Sequence, residues 1–139
     1  MDTLDLTSFE NAINSLSDII NIYNSDKSNI YMRDSLIQRF EYTYSLSLKM
    51  IRKYFLISAF EKENIDGMIF NEMIRIANRM GLLCSNLEKW SEYRRKRNLT
   101  SHTYDENLAQ DVVAIIPDFK DEAEFLLNKL KEKTGQCSD

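Results

Sequence analysis

From Tyr31 to about Glu61 the chain meets neither glycine nor proline, and Ile37, Phe40, Tyr44, Leu48, Ile51 and Phe55 recur three or four residues apart. That is the period of one helical face, so the stretch predicts a single long amphipathic helix. Leu46, Met50 and Tyr54 widen the stripe, as expected of a helix at the centre of a domain. Turns are scarce along the whole chain: 139 residues include three glycines and one proline. With apolar residues at 43%, there is enough to line the inner faces of several helices. The reading is an all-α domain.

The remaining helices follow from the same periodicity. Thr7 and Glu10 have capping-box spacing ahead of Phe9, Ile13, Leu16, Ile20 and Tyr23, which predicts a first helix ended by the polar stretch NSDKSN. After a turn at NIDGM, residues Phe70, Met73, Ile74, Ala77 and Met80 form a short helix that Gly81 closes as a left-handed cap. Ser85 and Glu88 open a fourth helix with Leu87 and Trp90 at its front and the polar run SEYRRKRN behind. Thr103 and Glu106 open a fifth, with Leu108, Val112, Ile116, Phe119, Ala123, Leu126 and Leu130 on one stripe. Pro117 lies inside that stripe and should kink or split the helix. The expected fold is an antiparallel up-and-down bundle of about five helices. Residues 1–133 form one domain, and 134–139 a polar tail expected to be disordered.

Several function classes fall away on composition. No apolar run approaches the ~20 residues that span a bilayer, and the N-terminal MDTLDLTSFE has neither the basic nor the apolar part of a signal peptide, so no membrane association and a cytoplasmic location are expected. Cys84, Cys137 and a single histidine leave a metal site short of ligands, and no cofactor is expected. The net charge of −4 argues against indiscriminate binding to nucleic acid. Positive charge is nevertheless concentrated in Arg94, Arg95, Lys96 and Arg97. A solvated helical face suits such a run, and so does a surface for phosphates.

Residues 96–105, KRNLTSHTYD, follow the cationic run and contain the only histidine. Arg97 stands just before a predicted helix end and His102 just before a predicted helix start. On an unbroken helix, five residues turn the chain by ~140° and point two side chains to nearly opposite faces. A break lets them converge. A guanidinium, an imidazole and the Tyr104 hydroxyl are suitable parts for phosphate chemistry. The aromatics Tyr42, Tyr44, Tyr54, Phe55 and Phe60 sit at core spacing and are read as packing rather than as a base-stacking platform. Glu41, among apolar neighbours, is a candidate for a buried ion pair with an arginine of the fourth helix.

Three blocks, QRFEYTYSLSLKM at 38–50, RMGLL at 79–83 and RNLTSHTYDE at 97–106, resemble the nucleotidyltransferase substrate-binding proteins, a branch of the HEPN helical domains. The resemblance spans about residues 5 to 130, and its sharpest element is Arg-x4-His-x-Tyr, with polar Asn98 after the arginine. It implies a HEPN-like bundle that forms homodimers and assembles, as a larger hetero-oligomer, with a minimal nucleotidyltransferase encoded nearby. In HEPN toxins of this kind the motif serves a metal-independent endoribonuclease, and the partner acts as antitoxin by placing AMP on the motif tyrosine. The resemblance thus implies Arg97 and His102 as catalytic residues, Asn98 and Ser101 in support, and Tyr104 as the AMPylation target. Arg94, Arg95 and Lys96 are then candidates to hold phosphates of RNA or of a nucleotide-type ligand. Two other readings stay open: a non-catalytic substrate-binding subunit of a two-component nucleotidyltransferase, and a scaffold whose motif only stabilises a dimer.

Overall fold

A computed structural model describes residues 3–58 and 68–136. Five helices stand among the described residues, with a 3-10 turn between the last two. They are α1 (Thr7–Ser25), α2 (Ile30–Ile57), α3 (Phe70–Arg79), α4 (Leu87–Asn98) and α5 (Glu106–Lys133), and the turn is Thr100–His102. The all-helical bundle expected from periodicity is thus the observed fold. The predicted turn at NIDGM and the last residues of the predicted long helix lie outside the described residues, apart from Met68.

Long-range contacts set the directions of the helices. Thr43 of α2 reaches the Ala12 carbonyl and Arg39 the Ser15 carbonyl, so α1 and α2 are antiparallel. Lys131, near the end of α5, pairs with Glu10 near the start of α1 at 2.6 Å, so α5 is also antiparallel to α1. Arg33 and Glu106 join the starts of α2 and α5 at 2.5 Å, and these two helices run side by side in one direction. α4 runs against both: Arg97 near its end faces Glu41, while Lys89 near its start meets Asp118. Two helices therefore run up and two down, with α3 against α2 and α4.

The core is aromatic where α2, α4 and α5 meet. Phe119 sits in the middle, edge-to-face with Phe40 at 5.3 Å, Tyr93 at 5.2 Å and Trp90 at 6.1 Å between ring centroids. All four rings are buried, and such tilted pairings suit the ring quadrupole. Tyr44 and Phe55 are buried too and Tyr54 is partly buried against the core, in keeping with packing roles, whereas Tyr42 is exposed and meets Ser15 with its hydroxyl; Phe60 lies outside the described residues. A carboxylate shares this interior. Glu122 is fully buried on α5, where its Oε2 accepts the Cys84 N–H at 2.8 Å and ties the α3–α4 connection to the last helix.

Helix ends depart from the capping boxes that the sequence suggests. Asp5, Asn86 and Asp105 take the parts expected of Thr7, Ser85 and Thr103: each side chain accepts an N–H from the first turn, at 3.0 Å from Thr7, 3.2 Å from Lys89 and 2.9 Å from Asn107. At α4 and α5 the acceptor is the residue just before the helix, a better cap than a hydroxyl one or two residues further out; at α1 Thr7 lies inside the first turn and Asp5 reaches it from two residues before. Gly81 closes α3 as expected, at φ +79°, with the Leu82 N–H donated to the Ala77 carbonyl. Gly135 closes α5 in the same manner at φ +74°. Thr134, Gly135 and Gln136, read from sequence as part of a disordered tail, are thus the cap of α5, and Gln136 also reaches the Leu4 carbonyl.

Pro117 does not split α5, which runs continuously from Glu106 to Lys133. Proline removes one ladder hydrogen bond, to the carbonyl of Val113. Val112, Ile115, Ile116, Phe119 and Ala123 are buried on both sides of it, and their packing holds the helix through the missing rung.

Candidate functional site

The predicted break between Arg97 and His102 is present and is built from three successive turns. Leu99 N–H bonds the Lys96 carbonyl at 3.0 Å, His102 N–H the Leu99 carbonyl at 2.9 Å, and Asp105 N–H the His102 carbonyl at 3.1 Å. Thr100 Oγ1 donates to the Arg97 carbonyl and Thr103 Oγ1 to the Thr100 carbonyl, which stitches the turn from within. Asp105 then starts α5.

This turn puts the motif on the surface. Ser101 and His102 are exposed, Tyr104 is 86% exposed, and the His102 and Tyr104 rings meet edge-on with centroids 6.1 Å apart. Arg97 is held differently. Its Nη2 lies 3.4 Å from Oε1 of Glu41 on α2, with both side chains partly exposed. The ion pair foreseen for Glu41 therefore exists, but half-buried rather than buried. Among the described residues no hydrogen bond or ion pair joins Arg97 to His102.

Two concavities flank the Arg97–Glu41 pair. One, of about 320 Å³, is lined by Tyr44, Ser45, Leu48, Arg52, Phe70, Met73, Arg94, Arg97 and Asn98. The other, of about 350 Å³, is bordered by Arg33, Gln38, Glu41, Thr100, Thr103 and Tyr104, among others. The structure thus brings Arg94, Arg97 and Asn98 together in one hollow and Tyr104 to the rim of the next. Arg95, Lys96, Ser101 and His102 line neither of them. Arg94 projects over the Phe70 ring, 4.6 Å from its centroid, and Tyr44 forms part of the wall below. Burial pushes the Tyr44 hydroxyl up to about 12 against the opposing pull of Arg94 and Arg97, so it is a neutral polar group and no general base. Among the described residues its oxygen has no hydrogen-bond partner.

Sequence reasoning missed Phe70 and Tyr44 as site residues because both stand on apolar stripes at core spacing. Their second role arises only when α2, α3 and α4 pack. No group of three or more histidine, cysteine or acidic side chains able to hold a metal occurs among the described residues. None of the described helices is long and apolar enough to cross a membrane.

A helical bundle with an arginine, a histidine and a tyrosine set around a break at a cationic helix end defines the class: a small all-α domain. Residues 4–132 match the family described as nucleotidyltransferase substrate binding protein like, and the chain belongs to that family. A relative from Haemophilus influenzae, named "Probable ribonuclease HepT", is 36% identical over 141 residues, covering 95% of each chain. A solved structure from the same organism, described as revealing the fold of a substrate binding domain of a nucleotidyltransferase, superposes with a TM-score of 0.85 at 34% identity over 91% of this chain and 99% of that one. A Thermus thermophilus protein of known structure gives a TM-score of 0.68 at 30% identity, covering 86% of this chain and 98% of its own.

Proposed function

We propose that this chain is a HEPN-type toxin subunit, a metal-independent endoribonuclease held in check by a minimal nucleotidyltransferase that AMPylates Tyr104. The observation that carries the reading is Arg97, His102 and Tyr104 set around a helix break at the cationic end of α4, in a relative of a protein named as a ribonuclease.

RNA cleavage without a metal requires a base to take the proton of the 2′-hydroxyl, an acid to protonate the departing 5′-oxygen, and positive charge on the pentacoordinate phosphorus between them. One chain offers one imidazole. Two chains apposed by a twofold axis through the motif supply two, one in each role, with His102 and its symmetry mate exchanging protons with the substrate as the 2′-oxygen bonds phosphorus and the 5′-oxygen leaves. Arg97 clamps the scissile phosphate with paired N–H donors, Asn98 and Ser101 support the pose, and the cations at 94–96 hold flanking phosphates. AMP on the exposed Tyr104 adds bulk and negative charge where RNA lies.

The test is RNA cleavage by the purified chain in EDTA. Cleavage is expected, and His102→Ala and Arg97→Ala should each abolish it while helicity and oligomeric state are unchanged. Full activity in His102→Ala would sink this chemistry. The second reading, a non-catalytic subunit that presents a substrate to a nucleotidyltransferase, is favoured by the family description and by the seating of Arg97 beside a hollow rather than beside His102. It predicts binding of a nucleotide-type ligand and no cleavage.

A further inference from the structure

The hollow beside Arg97 has a mixed lining. Arg97 and Asn98 come to it from α4 and Arg52 from α2, while Leu48, Phe70 and Met73 bring apolar side chains. Arg94, also on α4, meets the aromatic part of it. Its guanidinium carbon lies over the Phe70 ring, 4.6 Å from the centroid, a cation–π contact made while the residue as a whole remains exposed. A guanidinium supported in this way loses little freedom on binding, and its outer face is a flat platform of the kind on which unpaired bases stack. Arg97 is three residues further along α4 and Asn98 four, so both share the helical face of Arg94. The buried Tyr44 hydroxyl in the same wall has no hydrogen-bond partner among the described residues, and a buried polar group left so calls for an explanation.

We infer that this hollow is a subsite for one unpaired nucleotide of the RNA, its base stacked on Arg94 over Phe70 and its phosphate on Arg97. The inference rests on RNA being the substrate and adds what the motif does not specify: a selection for single-stranded RNA at the nucleotide beside the scissile phosphate. Arg94 then differs from Arg95 and Lys96. Its planarity matters, and its charge alone does not replace it.

The experiment uses the full chain and a short single-stranded 2′-O-methyl oligonucleotide, which cannot be cleaved, with affinity read by fluorescence anisotropy across a salt series. Arg94→Lys keeps the charge and loses the plane; it should weaken binding roughly 5- to 100-fold, the range of one base stack, with the log–log salt slope unchanged. Phe70→Leu keeps apolar bulk and should show a loss in the same direction, checked against its thermal melt. A set of oligonucleotides with one abasic site moved along the strand should reveal one position where the wild type loses affinity and Arg94→Lys does not. Binding by Arg94→Lys within twofold of wild type, or indifference to every abasic site, overturns the subsite. An abasic-sensitive protein that fails to cleave RNA in EDTA supports the subsite while overturning the nuclease, and a wild type that binds no oligonucleotide overturns both.

Discussion

Arg97 at the end of α4 and Glu41 in the middle of α2 form an ion pair of 3.4 Å across the two hollows of the site. The guanidinium proposed to clamp a phosphate is thus already partnered by a carboxylate. An incoming phosphate must compete with that carboxylate, and Glu41 also repels it directly. Because the pair is partly exposed, the competition is small in magnitude. Glu41→Gln is expected to tighten binding of uncleavable RNA by roughly 2- to 5-fold at low salt, with the gain shrinking as salt screens it. Weaker binding in that variant would show that Glu41 serves to position Arg97 instead.

Tyr104 offers a direct separation of the toxin from the passive subunit. At 86% exposure its hydroxyl is open to a modifying enzyme. Incubation with the partner nucleotidyltransferase, ATP and magnesium should add AMP to this residue, seen by mass spectrometry, and RNA cleavage should fall in proportion. Tyr104→Phe retains the ring beside His102 and loses the acceptor. It should cleave RNA and escape that inhibition; AMP found elsewhere on the chain, or on none of it, would count against the mechanism.

Arg95 and Lys96 line neither hollow, and their contribution is expected to be purely electrostatic. Replacing both by alanine should lower RNA affinity and reduce the log–log salt slope by about one unit for each phosphate that the protein no longer neutralises. An unchanged slope would return these two cations to the status of a solvated face.

The tether between the starts of α2 and α5 carries a pH signature. Hydrogen bonds from Arg33 and Gln110, the former first, hold the Glu106 carboxyl below its ordinary 4.5. A depressed carboxylate stabilises the folded state above the unfolded pKa, and that contribution is lost as pH falls through the folded value. Glu106→Gln should therefore be less stable than wild type in urea titrations at pH 7, and the difference should close in acid below pH 4.5. A difference that does not narrow at all as pH falls below 4.5 would mean the loss comes from packing and not from the charge.

The helices were legible because their apolar stripes are long and regular. Phe9 to Tyr23, Ile37 to Phe55 and Val112 to Leu130 each mark the buried face of the helix that forms, whereas Leu108 at the head of the last stripe is only half-buried and Ala109 is buried in its place. The caps were legible only to within a residue or two, since Thr7, Ser85 and Thr103 stand next to stronger acceptors and spacing alone does not rank them. For Pro117 the local rule allows a kink or a split, and the packing of Ile116 and Phe119 holds the helix continuous against the split. Glu122 hides on the stripe, three residues after Phe119, where a charged residue at a core position was the available signal. At the site, the motif and its helix break could be read from 97–106, and Glu41 could be guessed as a partner. The hollow with Phe70 and Tyr44 could not, because it depends on how three helices lie against one another.

The two-up, two-down arrangement of α1, α2, α4 and α5 has an electrical consequence. Peptide dipoles aligned along each helix sum to a macrodipole, and antiparallel neighbours largely cancel one another's fields. The backbone therefore lends the bundle little polarity of its own. In a chain of net charge −4, the attraction for a polyanion proposed for the motif would rest on a few side chains, Arg94 to Arg97, mounted on a frame of largely cancelling dipoles. Under that proposal a single added phosphodiester, or a handful of substitutions, would silence the surface with the fold left as it is.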